Sequence, residues 1–221
     1  MLRIDDLSAS YGEAQVLRSI SLSIDEGEVV TLCGRNGAGK TTLLRCLMGL
    51  HPFTGKVSFD GQDLGRLPSY RRARLGLGWV PDDRGAYATL TVAESLTLPT
   101  LRNGWSLEQV YEAFPNLYAR RGSAATKLSG GEQQMLALAR VLRMGSRLLL
   151  CDEPTEGLSP LLVEQVGEIL RKAKQQGIAV LLVEQNLQFA AGVADRYYLL
   201  ASGGVRETSP EDKDLLTYLG V

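Results

Sequence analysis

One glycine-rich segment, residues 34–41 (GRNGAGKT), constrains the fold of this chain more than any other, because it has the form GxxxxGK[ST]. The apolar run Val29–Cys33 predicts a strand directly before it, and apolar residues recur at helical spacing after it, from Leu43 to Met48. A strand, a glycine-rich loop and a helix in this order surround an anion with backbone N–H groups and the positive end of the helix. The sequence therefore predicts an α/β fold with a phosphate-binding loop.

Within this loop, glycine lets successive N–H groups converge on phosphate oxygens without interference from a Cβ atom. Lys40 can reach the β- and γ-phosphates of a nucleoside triphosphate, which makes it a candidate catalytic residue, and the Thr41 hydroxyl can ligate Mg²⁺. A chance match to the motif is the alternative, and the strand before and the helix after argue against it. The expected nucleotide contacts are Gly34, Asn36, Gly37, Ala38, Gly39, Lys40, Thr41 and Thr42.

A second apolar run, Leu148–Asp152, ends in two adjacent acids, Asp152 and Glu153. Beside a phosphate-binding loop, Asp152 is the expected partner of Mg²⁺. Glu153, one residue further, is placed to act as the general base that polarises the attacking water. The alternative is that both acids only mark the end of the strand.

A third motif, residues 128–132 (LSGGE), precedes a run of strong helix formers at residues 133–140. Ser129 is expected to cap that helix, and Gly130 and Gly131 expose backbone N–H groups to an anion. An ordinary N-cap with no ligand is the alternative.

The spacing of apolar segments predicts how these motifs are joined. Strands are expected at residues 19–24, 29–33, 57–59, 148–152, 178–183 and 197–201, and helices at residues 160–175 and 187–194. After residue 148 the alternation of apolar strands and helices predicts a parallel sheet that is covered on both faces. Helical segments predominate between residues 81 and 144, which indicates an inserted lobe.

Composition excludes some classes of function. The 221 residues include 24 Lys and Arg against 25 Asp and Glu, so the net charge of −1 offers no electrostatic footprint for nucleic acid. No apolar stretch approaches the roughly 18 residues that span a bilayer. The scattered Cys33, Cys46 and Cys151 are typical of a reducing cytosol. We therefore expect a cytosolic protein without a nucleic-acid partner, which reaches a membrane only through other subunits.

The order and spacing of the three motifs resemble the ATP-binding cassette (ABC) family over residues 1–220. The resemblance implies a P-loop NTPase (RecA-like) parallel-sheet core with an N-terminal antiparallel β subdomain and an inserted helical subdomain. The expected division is residues 1–81 and 145–221 for the core with the β subdomain, and 82–144 for the helical subdomain with the signature motif. ATP and Mg²⁺ are the implied ligands.

The resemblance also implies how the sites are shared. In this family the signature, here Ser129, Gly130, Gly131 and Glu132, closes on the γ-phosphate that the opposite subunit's loop holds. One loop and one signature in a chain therefore imply a head-to-tail dimer with two shared sites. Tyr11 stands where the family places an aromatic ring against adenine, and an aromatic side chain at a strand end is the alternative.

Three positions depart from the commonest family pattern. Gln185 replaces a histidine, and it can hydrogen-bond a γ-phosphate or water but cannot carry a proton charge. We therefore expect Glu153 to be the base and Gln185 only to orient the reacting groups. Asp82 replaces the glutamine of the Q-loop; it either contacts Mg²⁺ or its water shell, or only forms a turn. Ser159 replaces an aspartate, and with Pro160 it reads as an N-cap and first-turn proline.

These departures resemble one branch of the family, the ATP-binding subunits of branched-chain amino acid importers and their relatives for urea and short amides. The branch implies a second ATP-binding subunit (a paralogue or a second copy), two membrane permeases, an extracytoplasmic solute-binding protein, and a peripheral location on the cytoplasmic face of the bacterial plasma membrane. It also implies permease docking around residues 85–93. The alternatives are a weakly hydrolysing regulatory subunit, which Glu153 argues against, and an ABC protein that acts on ribosomes or DNA.

Three arginines near one another, Arg71, Arg72 and Arg74, are interpreted as a solvated helix face. Contact with a permease or with acidic lipid headgroups is the alternative.

Overall fold

The computed structural model describes residues 1–85, 87, 89–98, 103–213 and 215. Its strands are β1 (Leu2–Tyr11), β2 (Ala14–Ile24), β3 (Val29–Cys33), β4 (Thr54–Phe59), β5 (Gln62–Asp63), β6 (Leu77–Val80), β7 (Leu148–Asp152), β8 (Ala179–Val183), β9 (Arg196–Ala201) and β10 (Gly204–Thr208). Its α-helices are α1 (Lys40–Met48), α2 (Ser69–Leu75), α3 (Val92–Leu96), α4 (Leu107–Ala113), α5 (Pro115–Ala119), α6 (Gly130–Arg143), α7 (Pro160–Gln175) and α8 (Leu187–Ala191), with a 3₁₀ turn at Ala125–Lys127.

The strands form two sheets. The larger has the order β10-β9-β3-β8-β7-β6, in which the five strands from β9 to β6 are parallel and β10 is antiparallel to β9. The smaller has the order β2-β1-β4-β5 and is antiparallel throughout. In the larger sheet β8 lies between β3 and β7, and in its register Asp152 pairs with Val183. The carboxyl ends of these three strands therefore meet at one edge, where open α/β sheets bind their ligands.

Alternate residues of the buried strands face two different hydrophobic cores. Leu148 and Leu150 of β7 belong to the core that contains α1 and the antiparallel sheet, whereas Leu149 and Cys151 belong to the core that contains α6 and α7. Because successive side chains of a strand point to opposite faces, a strand covered on both sides is apolar at every position. The predicted fold class, with its parallel core and antiparallel β subdomain, is confirmed.

The named elements between β6 and β7 are α3 to α6 and the 3₁₀ turn. The exact division at residues 82 and 145 stays a prediction. The residues outside the described part of the chain belong to both predicted subdomains: 86, 88 and 99–102 to the helical one, and 214 and 216–221 to the core. Within the described part, no helix is both long and apolar enough to cross a bilayer.

Element bounds differ from the sequence prediction mainly at ends that backbone pairing sets. β2 begins at Ala14 rather than residue 19, because Ala14 pairs with Tyr11 of β1 across a tight turn. The helix expected at residues 187–194 ends at Ala191, and the strand expected at residue 178 begins at Ala179. Alternation of apolar residues marks the buried part of a strand, not the full length over which its backbone pairs with the neighbouring strand.

The interpretation of the three arginines as a solvated face is wrong for Arg72. Its side chain is buried, and its Nη1 donates to the carbonyl oxygens of Cys46 (2.7 Å) and Leu47 (2.8 Å) while Nε donates to that of Leu67 (2.8 Å). The last carbonyls of a helix have no partner inside the helix. Arg72 therefore completes the C-terminal end of α1 and fixes α2 against it.

Candidate nucleotide-binding site

A cavity of about 380 Å³ opens at the carboxyl edge of the parallel sheet, beside the glycine-rich loop. It brings together residues from four separate segments of the chain. Most of them are predicted site residues, and two, Val16 and Glu156, are not. The lining consists of Val16, Asn36, Gly37, Gly39, Lys40, Thr41, Thr42, Asp82, Asp152, Glu153 and Glu156.

The backbone of the loop has the shape that the motif predicts. Gly37 and Gly39 have φ angles of 79° and 107°, in the left-handed region that glycine adopts without strain. A Cβ atom on Gly39 would lie 2.9 Å from Cδ2 of Leu17, whereas one on Gly37 would meet nothing within 4 Å. Gly39 precedes α1 without any side-chain cap, so no cap side chain occupies the first N–H groups of that helix. This geometry can bind an anion at the N-terminus of a nine-residue helix.

Lys40 supplies a buried cation to the lining of the cavity. Its Nζ donates to the carbonyl oxygens of Gly34 (2.8 Å) and Arg35 (3.2 Å) and lies 3.1 Å from Oε1 of Glu153. The ammonium group thus joins the loop to the acid that follows β7. An ammonium has three donors, which it can share between these oxygens and a phosphate.

Asp152 has the properties of a ligand for a hard cation. Its side chain is 2% exposed, and Oδ2 has no hydrogen-bond partner among the described residues. Burial raises the pKa of Asp152 to about 6, and the charges of Asp82 and Glu153 add to this, while a hydrogen bond from Thr41 opposes it. A buried carboxylate oxygen without a partner needs a cation or a proton.

The oxygen ligands around this carboxylate fit a Mg²⁺ site that phosphate and water complete, rather than a metal site built from protein side chains alone. Within the described residues, no group of three or more His, Cys, Asp or Glu side chains is arranged to hold a metal ion. Mg²⁺ usually binds through one or two protein ligands, phosphate oxygens and several waters. Asp152 and the Thr41 hydroxyl, beside an anion site, match that pattern.

Glu153 is held in place by partners on both sides. Nε2 of Gln185 donates to Oε1 of Glu153 (2.9 Å) and to Oδ1 of Asn36 (2.7 Å), while Lys40 contacts the same Oε1. The φ angle of Glu153 is 47°, a strained value for a residue with a Cβ atom. Gln185 therefore connects the loop to the expected base, and its role as an orienting group stays a prediction.

The signature residues lie outside this cavity, at the start of α6. Oγ of Ser129 accepts from the N–H of Glu132 (3.3 Å), and Oε2 of Glu132 accepts from the N–H of Ser129 (2.8 Å). The predicted N-cap is confirmed, and it forms a full capping box. The box gives Glu132 a structural role that the sequence analysis missed, although the S-x-x-E spacing signals it.

The two signature glycines permit close packing. A Cβ atom on Gly131 would lie 2.3 Å from Cδ1 of Leu162, and one on Gly130 would lie 2.7 Å from Nη1 of Arg84. Real Cβ atoms do not approach neighbours so closely. Gly131 therefore leaves room for the end of the Leu162 side chain, and Gly130 leaves room for the guanidinium group of Arg84.

The remaining predicted residues lie at the margins. Tyr11 is outside the cavity and 46% exposed, and its ring lies 4.2 Å from that of His51 between centroids, tilted by 32°. Asp82 lines the cavity and also accepts from the N–H of Asp83 within a turn, so both of its proposed roles fit its position. Ser159 stands at the N-cap position of α7 and Pro160 in the first turn, as predicted, although the Ser159 side chain makes no capping hydrogen bond.

Sequence reasoning missed one buried carboxylate, Glu184. It follows β8 at the same edge of the sheet and is 3% exposed. The signal was present, because an acid at the end of an apolar strand is also the feature that identifies Asp152 and Glu153.

Comparison with known proteins agrees with this geometry. Residues 17–156 match the sequence model of a family described as "ABC transporter". The chain is 40% identical over 211 residues to the high-affinity branched-chain amino acid transport ATP-binding protein BraG of Pseudomonas aeruginosa, which covers 93% of this chain and 91% of BraG. It is 36% identical over 212 residues to the probable branched-chain amino acid transport ATP-binding protein LivF of Archaeoglobus fulgidus (93% and 90%).

A relative with another named role is nearly as similar. The lipopolysaccharide export system ATP-binding protein LptB of Acidithiobacillus ferridurans is 34% identical over 213 residues, covering 93% of this chain and 88% of LptB. Among solved structures, a dimeric ATP-binding cassette in a post-hydrolysis state with ADP and Pi superposes with a TM-score of 0.84 at 26% identity, covering 96% of this chain and 99% of that one. The phosphate-binding loop, the signature and these similarities together show that the chain belongs to the ABC transporter family as an ATP-binding subunit.

Proposed function

We propose that this protein is the ATP-hydrolysing, energy-coupling subunit of an ABC importer for the branched-chain amino acids leucine, isoleucine and valine. The observation that carries the hydrolytic part is the position of Glu153, whose Oε1 contacts both Lys40 Nζ and Gln185 Nε2 beside the phosphate-binding loop. The similarity to proteins named for branched-chain amino acid transport, BraG and LivF, supports the solute.

The residues of the cavity have distinct roles in this proposal. The loop N–H groups and Lys40 bind the phosphates of ATP, and Glu153 takes a proton from the attacking water as general base. Gln185, which cannot carry the proton, orients Glu153 and the water. Asp152 and Thr41 would hold Mg²⁺, with Asp82 as a further contact. When bound, this ion neutralises the charge of the phosphate oxygens.

A second ATP-binding subunit completes each site. Residues Ser129, Gly130 and Gly131 of one subunit face the triphosphate held by the other, and Tyr11 contacts the adenine ring. The partner is a second copy or a paralogue. The separation of the signature from the loop cavity within one chain supports this arrangement, because a site completed in cis would bring them together.

The remaining subunits are two membrane permeases and an extracytoplasmic solute-binding protein. The ATP-binding subunit sits peripherally on the cytoplasmic face of the plasma membrane, where its helical segment, residues 82–144, carries the permease dock. Residues 86 and 88 of the docking region at 85–93 lie outside the described residues. Because the chain is also similar to LptB, the test below includes lipopolysaccharide export as a possible outcome, alongside import of urea or short amides.

The test measures ATP hydrolysis by the whole complex reconstituted in liposomes. Leucine, isoleucine, valine, urea, acetamide and lipopolysaccharide are added in turn with the solute-binding protein. We expect stimulation by the three branched-chain amino acids and none in a complex that carries Glu153→Gln. Stimulation by urea or acetamide alone, or by lipopolysaccharide, would overturn the solute assignment. Hydrolysis that survives Glu153→Gln would overturn the catalytic one.

A further inference from the structure

The buried carboxylate of Glu184 collects hydrogen bonds from two different loops. Its Oε1 accepts from the N–H of Thr155 (3.2 Å) and from Oγ1 of the same residue (2.6 Å). Its Oε2 accepts from the N–H groups of Gln185 (3.1 Å) and Asn186 (3.2 Å). Thr155 belongs to the loop that follows β7, whereas Gln185 and Asn186 belong to the loop that follows β8. One side chain therefore ties the two loops together.

Only a carboxylate can satisfy this set of groups. The four partners are three backbone N–H donors and one hydroxyl donor, and a carboxylate offers about four acceptor positions and no donor. A glutamine of the same shape would place its NH₂ group against at least one of these N–H groups. Among the described residues, no Lys, Arg or His nitrogen lies within 4 Å of Glu184. The charge is held by neutral donors, although burial raises the pKa of Glu184.

The residues that Glu184 ties together surround the hydrolytic centre. Thr155 lies two positions after Glu153, and Gln185 is the residue whose Nε2 bridges Glu153 and Asn36. The N–H of Glu153 also donates to the carbonyl oxygen of Val183 (2.9 Å), directly before Glu184. Any change in the spacing of the two loops therefore changes the distance between the Gln185 amide and the Glu153 carboxylate.

We propose that Glu184 is a positioning residue for ATP hydrolysis, which holds the Gln185 amide at the distance from Glu153 and Asn36 that the reaction requires. It touches neither the cavity nor a reacting atom, and it acts through Gln185. The inference rests on the proposed role of Glu153 as base, and it assigns a role that the sequence motifs do not.

The test compares kcat, KM for ATP and binding of a fluorescent ATP analogue in Glu184→Gln and wild type, with thermal unfolding as a check. Because small misplacement of a catalytic group costs up to about a hundredfold in rate, we expect kcat to fall by roughly tenfold to a hundredfold. KM and analogue binding should change less than about twofold, since the hydrogen bonds of the Glu184 side chain go to Thr155, Gln185 and Asn186 and not to the phosphate-binding loop. Glu168→Gln, on the exposed face of α7, is the matched control and should behave as wild type.

A double-mutant cycle with Gln185→Ala separates positioning from general stability. If Glu184 acts through Gln185, the Glu184→Gln change should reduce kcat little further in the Gln185→Ala background. An unchanged kcat in Glu184→Gln, or an equal fold-loss in both backgrounds, would overturn the inference. If Glu184→Gln fails to fold, Thr155→Val, which removes one hydroxyl donor, must lower kcat at constant analogue binding, and no change there also overturns it. A Glu153→Gln variant with wild-type rate would instead overturn the base assignment.

Discussion

The phosphate-binding loop and the signature both open an α-helix, but they treat the first N–H groups of that helix in opposite ways. α1 begins after Gly39, which offers no side chain as a cap, and the adjoining cavity contains Lys40 and Asp152. α6 begins after Ser129, which forms a complete capping box with Glu132. The first helix end is open to a ligand of its own chain, while the second is closed by its own side chains.

This difference supports the proposed division of the site between two chains. The Ser129 hydroxyl accepts a hydrogen bond in the capping box, so its own hydrogen is still free to be donated outward. The loop instead needs an anion to satisfy its N–H groups. A signature that is folded and capped before any ligand arrives is suited to meet a triphosphate that another subunit presents.

The largest expected effect is in the loop region, where Glu153→Gln removes the base and keeps the shape. General base catalysis contributes about 10²–10⁴-fold, so we expect kcat to fall by that factor while ATP binding persists. Steady-state hydrolysis and equilibrium binding of ATP measure the two effects. Glu168→Gln serves as the control and should hydrolyse ATP at the wild-type rate. If Glu153→Gln also kept a rate within twofold of wild type, the catalytic distinction between the two regions would be lost.

A smaller effect is expected in the signature region, where Ser129→Ala can be paired with a matched variant. Ser106 caps α4 with the same kind of box, through Gln109, so Ser106→Ala and Ser129→Ala should each lose about 0.5–2 kcal/mol of stability. Only Ser129→Ala should also slow hydrolysis, by roughly tenfold to a hundredfold, since a hydrogen bond to a charged group contributes about 1.5–3 kcal/mol. Urea unfolding and ATPase assays on both variants decide this. Equal rates would reduce the signature to an ordinary N-cap.

The smallest effect concerns the pH dependence of metal-free stability at Asp152. An aspartate in the unfolded chain has a pKa of about 3.9, whereas burial raises the pKa of Asp152 to about 6 because it disfavours the charged form. The folded state therefore binds more protons in this window, and stability falls as the pH rises through it. Asp152→Asn removes the effect, so its gain in Tm over wild type should grow from pH 4 to about 6 and then level off. A difference in Tm that is constant with pH would contradict the raised pKa.

The sequence predicted the loop region well because its chemistry is local. The strand, loop and helix form one continuous segment, residues 29–48, and the two acids stand together at the end of one strand, β7; the fold brings both segments to the same cavity. Contacts that depend on packing between distant segments were not predictable. Arg72 was mistaken for a surface residue because nothing in α2 itself shows that the end of α1 lies beside it. The position of Glu184 after β8 is visible in the sequence, but its contacts are not, because its four donors come from two loops.

The sharing of each ATP between two subunits is tested most directly by the rate of hydrolysis per molecule during dilution. Purified protein at saturating ATP is assayed over a wide range of concentrations, with Ser129→Ala and Ser106→Ala in parallel. The account predicts that the rate per molecule falls on dilution, that Ser129→Ala is slow at every concentration, and that Ser106→Ala follows wild type. A rate per molecule that is independent of concentration and equal in Ser129→Ala would contradict it.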